Sequence, residues 1–317
     1  MKMRRLGKSG IEIAPLVLGC NVFGWTIDEA ESFKVLDAFV DLGFNAIDTA
    51  DVYSSWAPGN SGGESETIIG RWLAQNPSKR DKVVVFTKVG SEMKGKTEKD
   101  LSAKWIYEAV EDSLSRLGTE QIDVYFSHWP DKRVTHEETL GAYDTLIRDG
   151  KVRAIGASNY DAQHLADALS VSREKNLPAY SVVQPEYNLY ARSAFDGPLA
   201  ELCKAEDLGV VTYFSLASGF LTGKYRSEAD SSKSVRGGGM GKYLNSRGLA
   251  ILDALDEVGD RHGAKPAEIA LAWIMARDGV TAPIASATST SQVETLAKAA
   301  SLDLDRDDMD RLDAASA

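Results

Sequence analysis

The amino-acid sequence predicts a (β/α)8 barrel preceded by an N-terminal β-hairpin, an α/β fold in which residues 1–317 form one domain. Three observations point there. Eight short, β-rich apolar runs alternate with longer stretches of helical periodicity. No linker divides the 317 residues, and a barrel of this kind takes about 250 residues or more. Polar residues cluster at the C-terminal ends of the runs, where such a barrel carries its site.

The elements follow in order. Met3–Leu6 and Ile11–Ile13, joined by Lys8-Ser9-Gly10, read as the hairpin. The strand runs are Leu16–Gly19, Phe44–Asp48, Val83–Lys88, Ile122–His128, Val152–Ser158, Val182–Gln184, Val210–Phe214 and Ala282–Ala285. Each is too short for a helix. Between them, Thr26 and Glu29 are expected to form a capping box before Phe33, Leu36, Phe39 and Val40, with Gly43 at the stop. Thr135 and Glu138 repeat the pattern, with Gly150 as the stop. Ser102 opens a helix carrying Trp105, Ala109, Val110, Leu114 and Leu117, ended by Gly118, and Asp161 is a candidate N-cap before Leu165 and Leu169. Ser227–Asn245 is polar and contains Gly237-Gly238-Gly239; its length suggests a mobile loop over a site.

Composition narrows the function classes. The formal net charge is −11, which disfavours nucleic acid and anionic membrane as partners but not an anionic cofactor held by local backbone N–H groups. Two cysteines, Cys20 and Cys203, stand far apart in no metal-like spacing, as expected for a reducing, cytoplasmic setting. Lys2, Arg4 and Arg5 ahead of Leu16-Val17-Leu18-Gly19-Cys20 imitate a lipoprotein leader, but Lys8, Glu12 and Pro15 interrupt the stretch that should be apolar. No run reaches the roughly 20 apolar residues of a membrane span.

Asp48, Lys88 and His128 end three consecutive runs, and Tyr53 follows in the loop after Asp48. Ser158 and Asn159, Gln184 and Tyr213 stand at the ends of the next runs. Meeting at one mouth, the first four suit proton transfer to a carbonyl. A phenol is a weak acid at neutral pH, with a pKa of about 10, and a nearby ammonium is expected to lower that value. Asp48 would hold Lys88, and His128 would orient the substrate oxygen. The set has no serine or cysteine nucleophile paired with a base, and no carboxylate cluster for a metal. Taken singly, Lys88 reads equally well as a structural ion pair with Asp48, and His128 as a packed structural histidine.

The segments Asp48-Thr49-Ala50-Asp51-Val52-Tyr53, Phe86-Thr87-Lys88, Ile122–Pro130, Gly150–Asn159, Gln184-Pro185-Glu186-Tyr187-Asn188 and Gly219–Tyr225 resemble, in order, the signature segments of the aldo-keto reductases. The resemblance runs from Leu6 to about Leu296. It implies hydride transfer from a nicotinamide to an aldehyde or ketone, with Tyr53 as general acid, Lys88 and Asp48 tuning it, and His128 positioning the carbonyl. It implies cofactor contacts at Asn21 and Asp48, a carboxamide site at Ser158, Asn159 and Gln184, and stacking on Tyr213. It runs the pyrophosphate along Phe214, Leu216, Gly219 and Lys224, with Arg236 closing over it. The alternative for Arg236 is a solvated charge run.

Ser286-Ala287-Thr288 and Gln292 stand where many members carry glycine and an arginine that pairs with the 2′-phosphate. Thr288 offers a hydrogen bond without charge, so the resemblance implies NADP (NADPH) with NAD as an alternative. Leu296 replaces an asparagine common near the adenine. Trp25, Trp56 and Trp129, with Tyr53 and His128, suggest an apolar substrate cleft for a medium-sized aldehyde or ketone, with some of the tryptophans serving only as rim packing. The sequence leaves self-association open.

Two other readings compete. Gly90–Thr97 fits the phosphate-loop pattern G-x-x-x-x-G-K-[ST], but the next helical pattern starts near Ser102 rather than at Lys96-Thr97, and Glu92 would sit in the phosphate cradle. Its alternative is an exposed loop rimming the substrate cleft. Channel β-subunits, which resemble the family and use nicotinamide mainly for redox sensing, carry asparagine at the histidine position, whereas this chain has His128.

Overall fold

Side chains alternate strictly along the strands, and both faces of that alternation are apolar. Val17, Ala46, Val84, Phe86, Val124, Phe126, Ala154, Val182, Val211, Ala282 and Ile284 form one buried cluster. Their sequence neighbours Leu16, Leu18, Ile47, Val85, Tyr125, Ile155, Val183 and Val210 belong to a second, larger one with the helix side chains. Strands apolar on both faces need helices outside and a filled interior, which a closed parallel barrel supplies.

The computed structural model describes residues 1–93, 98–235 and 237–317. A two-residue antiparallel hairpin, β1 (Arg4–Arg5) and β2 (Glu12–Ile13), precedes the barrel. The barrel strands are β3 (Val17–Gly19), β4 (Ala46–Asp48), β5 (Val84–Val89), β6 (Ile122–Ser127), β7 (Val152–Ser158), β8 (Val182–Gln184), β9 (Gly209–Thr212) and β10 (Ala282–Ala285). They pair in parallel and in chain order, and β10 closes on β3. Leu6, Ile11 and Ile13 of the hairpin region pack into the interior cluster, so the hairpin seals the floor of the barrel. Gly7, with φ of 55°, lies so near Gly209 that a Cβ there would meet its nitrogen at 2.2 Å.

The helices are α1 (Glu29–Asp41), α2 (Glu64–Gln75), α3 (Pro77–Arg80), α4 (Ala103–Leu117), α5 (His136–Arg148), α6 (Ala162–Lys175), α7 (Pro198–Ala205), α8 (Ser246–His262), α9 (Pro266–Ala276), α10 (Thr290–Ala299) and α11 (Arg306–Ser316). Ser102 and Asp161 cap α4 and α6 as the sequence suggests, accepting from Trp105 and His164. Two capping expectations change. The N-cap of α1 is Asp28, not Thr26; Thr26 stays in a tight turn, its N–H donating to the Val22 carbonyl. Thr135 accepts from the Glu138 N–H, but the Glu138 carboxylate accepts from Ala103 of α4 instead of completing a box. The described residues between 227 and 245 are not simply irregular: they include three short 3-10 turns, with Tyr243 and Met240 buried.

The would-be leader is barrel structure: Leu18 and Cys20 are fully buried. Both cysteines are buried and free. Among the described residues no helix is long and apolar enough to cross a membrane. Lys94–Thr97 of the phosphate-loop pattern and Arg236 lie outside the described residues. The helix following that pattern opens at Ala103.

Candidate active site

The alternation that fills the barrel also builds its mouth. Counting upward by twos from the interior layer, Ala46 leads to Asp48, Phe86 to Lys88, Phe126 to His128, Gly156 to Ser158, Val182 to Gln184, Val211 to Tyr213 and Ile284 to Ser286. The parity that puts an apolar side chain in the core puts a polar one above it. All of these but Lys88 line one cavity of about 1320 Å³, and Tyr53 lines it too.

Lys88 lies beneath, fully buried. Its ammonium commits all three protons: to Asp48 Oδ2 at 2.7 Å, the Thr49 carbonyl at 2.8 Å and Tyr53 Oη at 2.8 Å. The Tyr53 hydroxyl donates to Asp48 Oδ2 at 3.1 Å. Gln184 donates to the other Asp48 oxygen at 2.9 Å. The loop holding Tyr53 is fixed from behind. Ser54, in a left-handed conformation at φ 71°, donates its hydroxyl to the Phe23 carbonyl at 2.6 Å. Tyr53 also packs edge-on against Trp56 and His128.

Burial, then the Asp48 charge and hydrogen bond, push the Tyr53 pKa well above its ordinary value. This reverses the expected lowering by Lys88: the ammonium favours phenolate, but desolvation and Asp48 outweigh it, and the phenol keeps its proton. Burial also lowers Lys88, opposed by Asp48. His128 is driven well below the ordinary histidine value by burial, then by the charges of Lys88 and Lys99, so its imidazole is neutral at pH 7. Its Nδ1 is buried and has no hydrogen-bond partner among the described residues.

Next to this group lies a buried acid the sequence did not single out. Asp51 is 1% exposed, and neither carboxyl oxygen has a hydrogen-bond partner among the described residues. Burial and the nearby Glu66 raise its pKa to about 8. The raised value lies above the unfolded one of about 4, so the folded form holds the proton more tightly. That contribution is full at acid pH and is lost as pH rises from about 4 to about 8. Asp51→Asn should therefore gain unfolding free energy over the parent by a margin on the order of a few kcal/mol larger at pH 8 than at pH 5, read as a larger rise in Tm at pH 8. A Tm difference that stays flat across that range contradicts the buried proton.

The polar chain continues around the rim. Ser158 donates to the Gln184 carbonyl at 2.9 Å, Asn159 donates to Ser158 Oγ at 3.1 Å and to the His128 carbonyl at 2.8 Å, and the Tyr213 hydroxyl donates to Asn159 Oδ1 at 2.7 Å. Tyr213 is thereby held with its ring on the cavity wall. Beyond it, Phe214, Ala217, Ser218 and Gly219 all have positive φ. The Ala217 and Gly219 N–H groups donate inside the curl, to the Phe214 and Leu216 carbonyls, and such a backbone turns its remaining N–H groups toward an anion. Phe214, Leu216, Ser218, Gly219 and Lys224 line the same cavity. At its far end, Asn21 accepts from Ser286 Oγ at 2.8 Å, and Gln292 Oε1 accepts from both the N–H and the hydroxyl of Thr288. These five features fit a dinucleotide: an amide-lined pocket, a flat aromatic wall, an anion-binding curl, cationic side chains and a polar far end.

Trp56 and Trp129 line the cavity, but Trp25 does not; its ring packs edge-on against Trp56 at 5.6 Å. Two lysines were missed. Lys265, before Pro266 at the start of α9, lines the cavity with Thr288 and Gln292. The Lys-Pro step marks that helix start, but nothing local shows that it faces the site. Lys99, two residues past the Gly90–Thr97 pattern, also lines the cavity.

A family model described as "Aldo/keto reductase family" matches residues 15–317. The chain belongs to the aldo/keto reductase family. The oxidoreductase YrpG of Bacillus subtilis (strain 168), called uncharacterized, is 33% identical to it over 315 residues, covering 97% of this chain and 93% of that protein. A probable voltage-gated potassium channel subunit beta of Arabidopsis thaliana is 32% identical over 307 residues, covering 94% of this chain and 91% of that one. Protein tas of Escherichia coli (strain K12) is 30% identical over 338 aligned positions, covering 99% and 97%. This aldo/keto reductase is thus an oxidoreductase of a family that acts on small molecules and generally uses NAD(P)H.

Proposed function

We propose that this aldo/keto reductase reduces an aldehyde or ketone to the alcohol with NADPH, Tyr53 supplying the proton. The observation that carries the reading is the Tyr53 hydroxyl held between Lys88 at 2.8 Å and Asp48 at 3.1 Å at the wall of a large cavity. When bound, the reduced nicotinamide supplies a hydride to the carbonyl carbon. Tyr53 turns its O–H from Asp48 to the carbonyl oxygen and gives up the proton there. The phenolate left behind faces an ammonium already in place, so little reorganisation accompanies the charge that forms. Asp48 keeps that ammonium charged and oriented. The neutral His128 ring offers an N–H to the same carbonyl oxygen without competing for the proton. Trp56 and Trp129 give the carbonyl compound an apolar wall.

For the cofactor, Ser158, Asn159 and Gln184 offer amide and hydroxyl partners to a carboxamide, Tyr213 a flat face, and residues 214–219 with Lys224 an anion-binding curl. Thr288 and Gln292 suit a ribose phosphate, and Lys265 on the same wall adds charge. NADPH and NADH titrations followed by fluorescence, with a panel of carbonyl substrates, test this. NADPH is expected to bind about tenfold tighter or more, because a charged partner strengthens a phosphate contact. Aromatic aldehydes are expected to turn over faster than small aldoses. Equal binding of the two cofactors overturns the NADPH assignment, and faster aldose turnover overturns the apolar-substrate assignment. Nicotinamide binding with no turnover of any carbonyl compound would favour a redox-sensing role instead.

A further inference from the structure

Lys99 places a cation on the wall of the cavity at its substrate end. Its ammonium sits 4.2 Å from the centroid of the Trp129 ring, and the two residues share the cavity wall. It makes no ion pair with a described residue, and Lys94, Gly95, Lys96, Thr97 and Arg236, the only undescribed residues, contain no carboxylate. Of the acids around it, Glu98 pairs with Arg133 and Asp131 accepts from Arg133 and from the Leu101 N–H, while Glu92 lines the same cavity without forming an ion pair with Lys99. Arg133 also donates to the carbonyl of Lys99 itself. The Asp131 side chain in this clamp is 3% exposed, so the backbone that presents Lys99 is anchored from below. The Trp129 ring stacks on His128 with centroids 6.2 Å apart, which puts Lys99 one indole away from the tetrad imidazole. The charge is felt there, since Lys99 helps keep His128 neutral, after burial and Lys88.

We propose that Lys99 is a specificity-determining residue that binds an anionic group, foremost a carboxylate, on the carbonyl substrate, so that the preferred substrates are oxo acids or carboxy-aryl aldehydes of medium length. The inference rests on the carbonyl-reduction reading above. Trp129 covers one side of the ammonium with its ring and leaves the N–H donors on the other side to a ligand that bridges from His128. A charge-assisted contact at a partly exposed position is screened, so its effect is expected at the low end for such bonds, about tenfold.

The test compares 4-carboxybenzaldehyde with benzaldehyde. In the parent enzyme the kcat/KM ratio of the first to the second should be about 10 or more, falling roughly tenfold in Lys99→Met, mainly through KM, and returning in Lys99→Arg. High salt should lower the ratio in the parent and not in Lys99→Met. A ratio unchanged by Lys99→Met overturns the proposal, as does a loss in which both aldehydes fall together, which marks a packing role against Trp129. A second readout needs no turnover: benzoate binding to the cofactor-loaded enzyme, followed by tryptophan fluorescence, should weaken about tenfold in Lys99→Met. If the parent reduces neither aldehyde, carbonyl reduction fails as a reading, while the benzoate titration still decides Lys99: weaker binding in the variant upholds the anion site, and equal binding removes it.

Discussion

Replacing Tyr53 with phenylalanine should lower kcat/KM for carbonyl reduction by about 10²–10⁴-fold while NADPH affinity stays within a few-fold, because positioned general acids contribute about that much. The substitution removes one oxygen and little else. The phenylalanine ring keeps the edge contacts to Trp56 and His128. Lys88 still holds Asp48 and the Thr49 carbonyl. The expected change in stability is about 2–4 kcal/mol, the cost of two hydrogen bonds to charged groups, one of them from the buried Lys88 ammonium. Steady-state kinetics and a thermal melt on the same preparation separate the two. Reduction surviving within about tenfold would remove Tyr53 as the acid.

Replacing Lys88 with methionine should damage both the fold and the rate. The ammonium is fully buried with three hydrogen bonds, and its partner Asp48 is 2% exposed. Removing one member of a buried pair costs about 3–5 kcal/mol, and the low end applies because Asp48 keeps Gln184 and Tyr53 as partners. The rate should fall by about 10²-fold or more, since the phenolate loses its counter-charge. If Lys88 acts through Tyr53, the double variant with Tyr53→Phe should be no slower than the slower single variant. Multiplicative losses would show that Lys88 works on the substrate by another route.

Much of the barrel and of the tetrad's meeting was legible in the sequence because both follow from one alternation. Val152–Ser158, Val182–Gln184 and Ala282–Ala285 were readable to the residue, since each run is bounded by turn-forming or polar neighbours. The start of α1 was not, because Thr26 and Asp28 are both good caps and only the turn at Val22 decides between them. The direction of the Tyr53 shift was hidden for a different reason. The sequence reveals which charges are near a phenol but not how much water is excluded from it, and exclusion dominates here. Lys99 and Lys265 were missed because a lysine in a loop or before a helix looks the same whether it faces solvent or a cavity. Nothing local marks Asp51 as a protonated acid, because its raised pKa comes from burial and from Glu66, which α2 brings beside it from a later part of the sequence.

The shared parity of core and mouth has a consequence for how such a protein can change. The polar ring forms the mouth-end tier of the inward face, with Lys88 set beneath the rest, and each of its members is separated from the helix-facing layer by its own backbone. A point substitution in that tier can therefore alter the chemistry while the outer packing stays as it was. A one-residue insertion or deletion within a strand has the opposite character: it turns every side chain above it to the other face, sending the polar group into the helix layer and an apolar one to the mouth. Variation at the site should thus accumulate as exchanges of single letters and in the lengths of the loops, with the strands holding constant length.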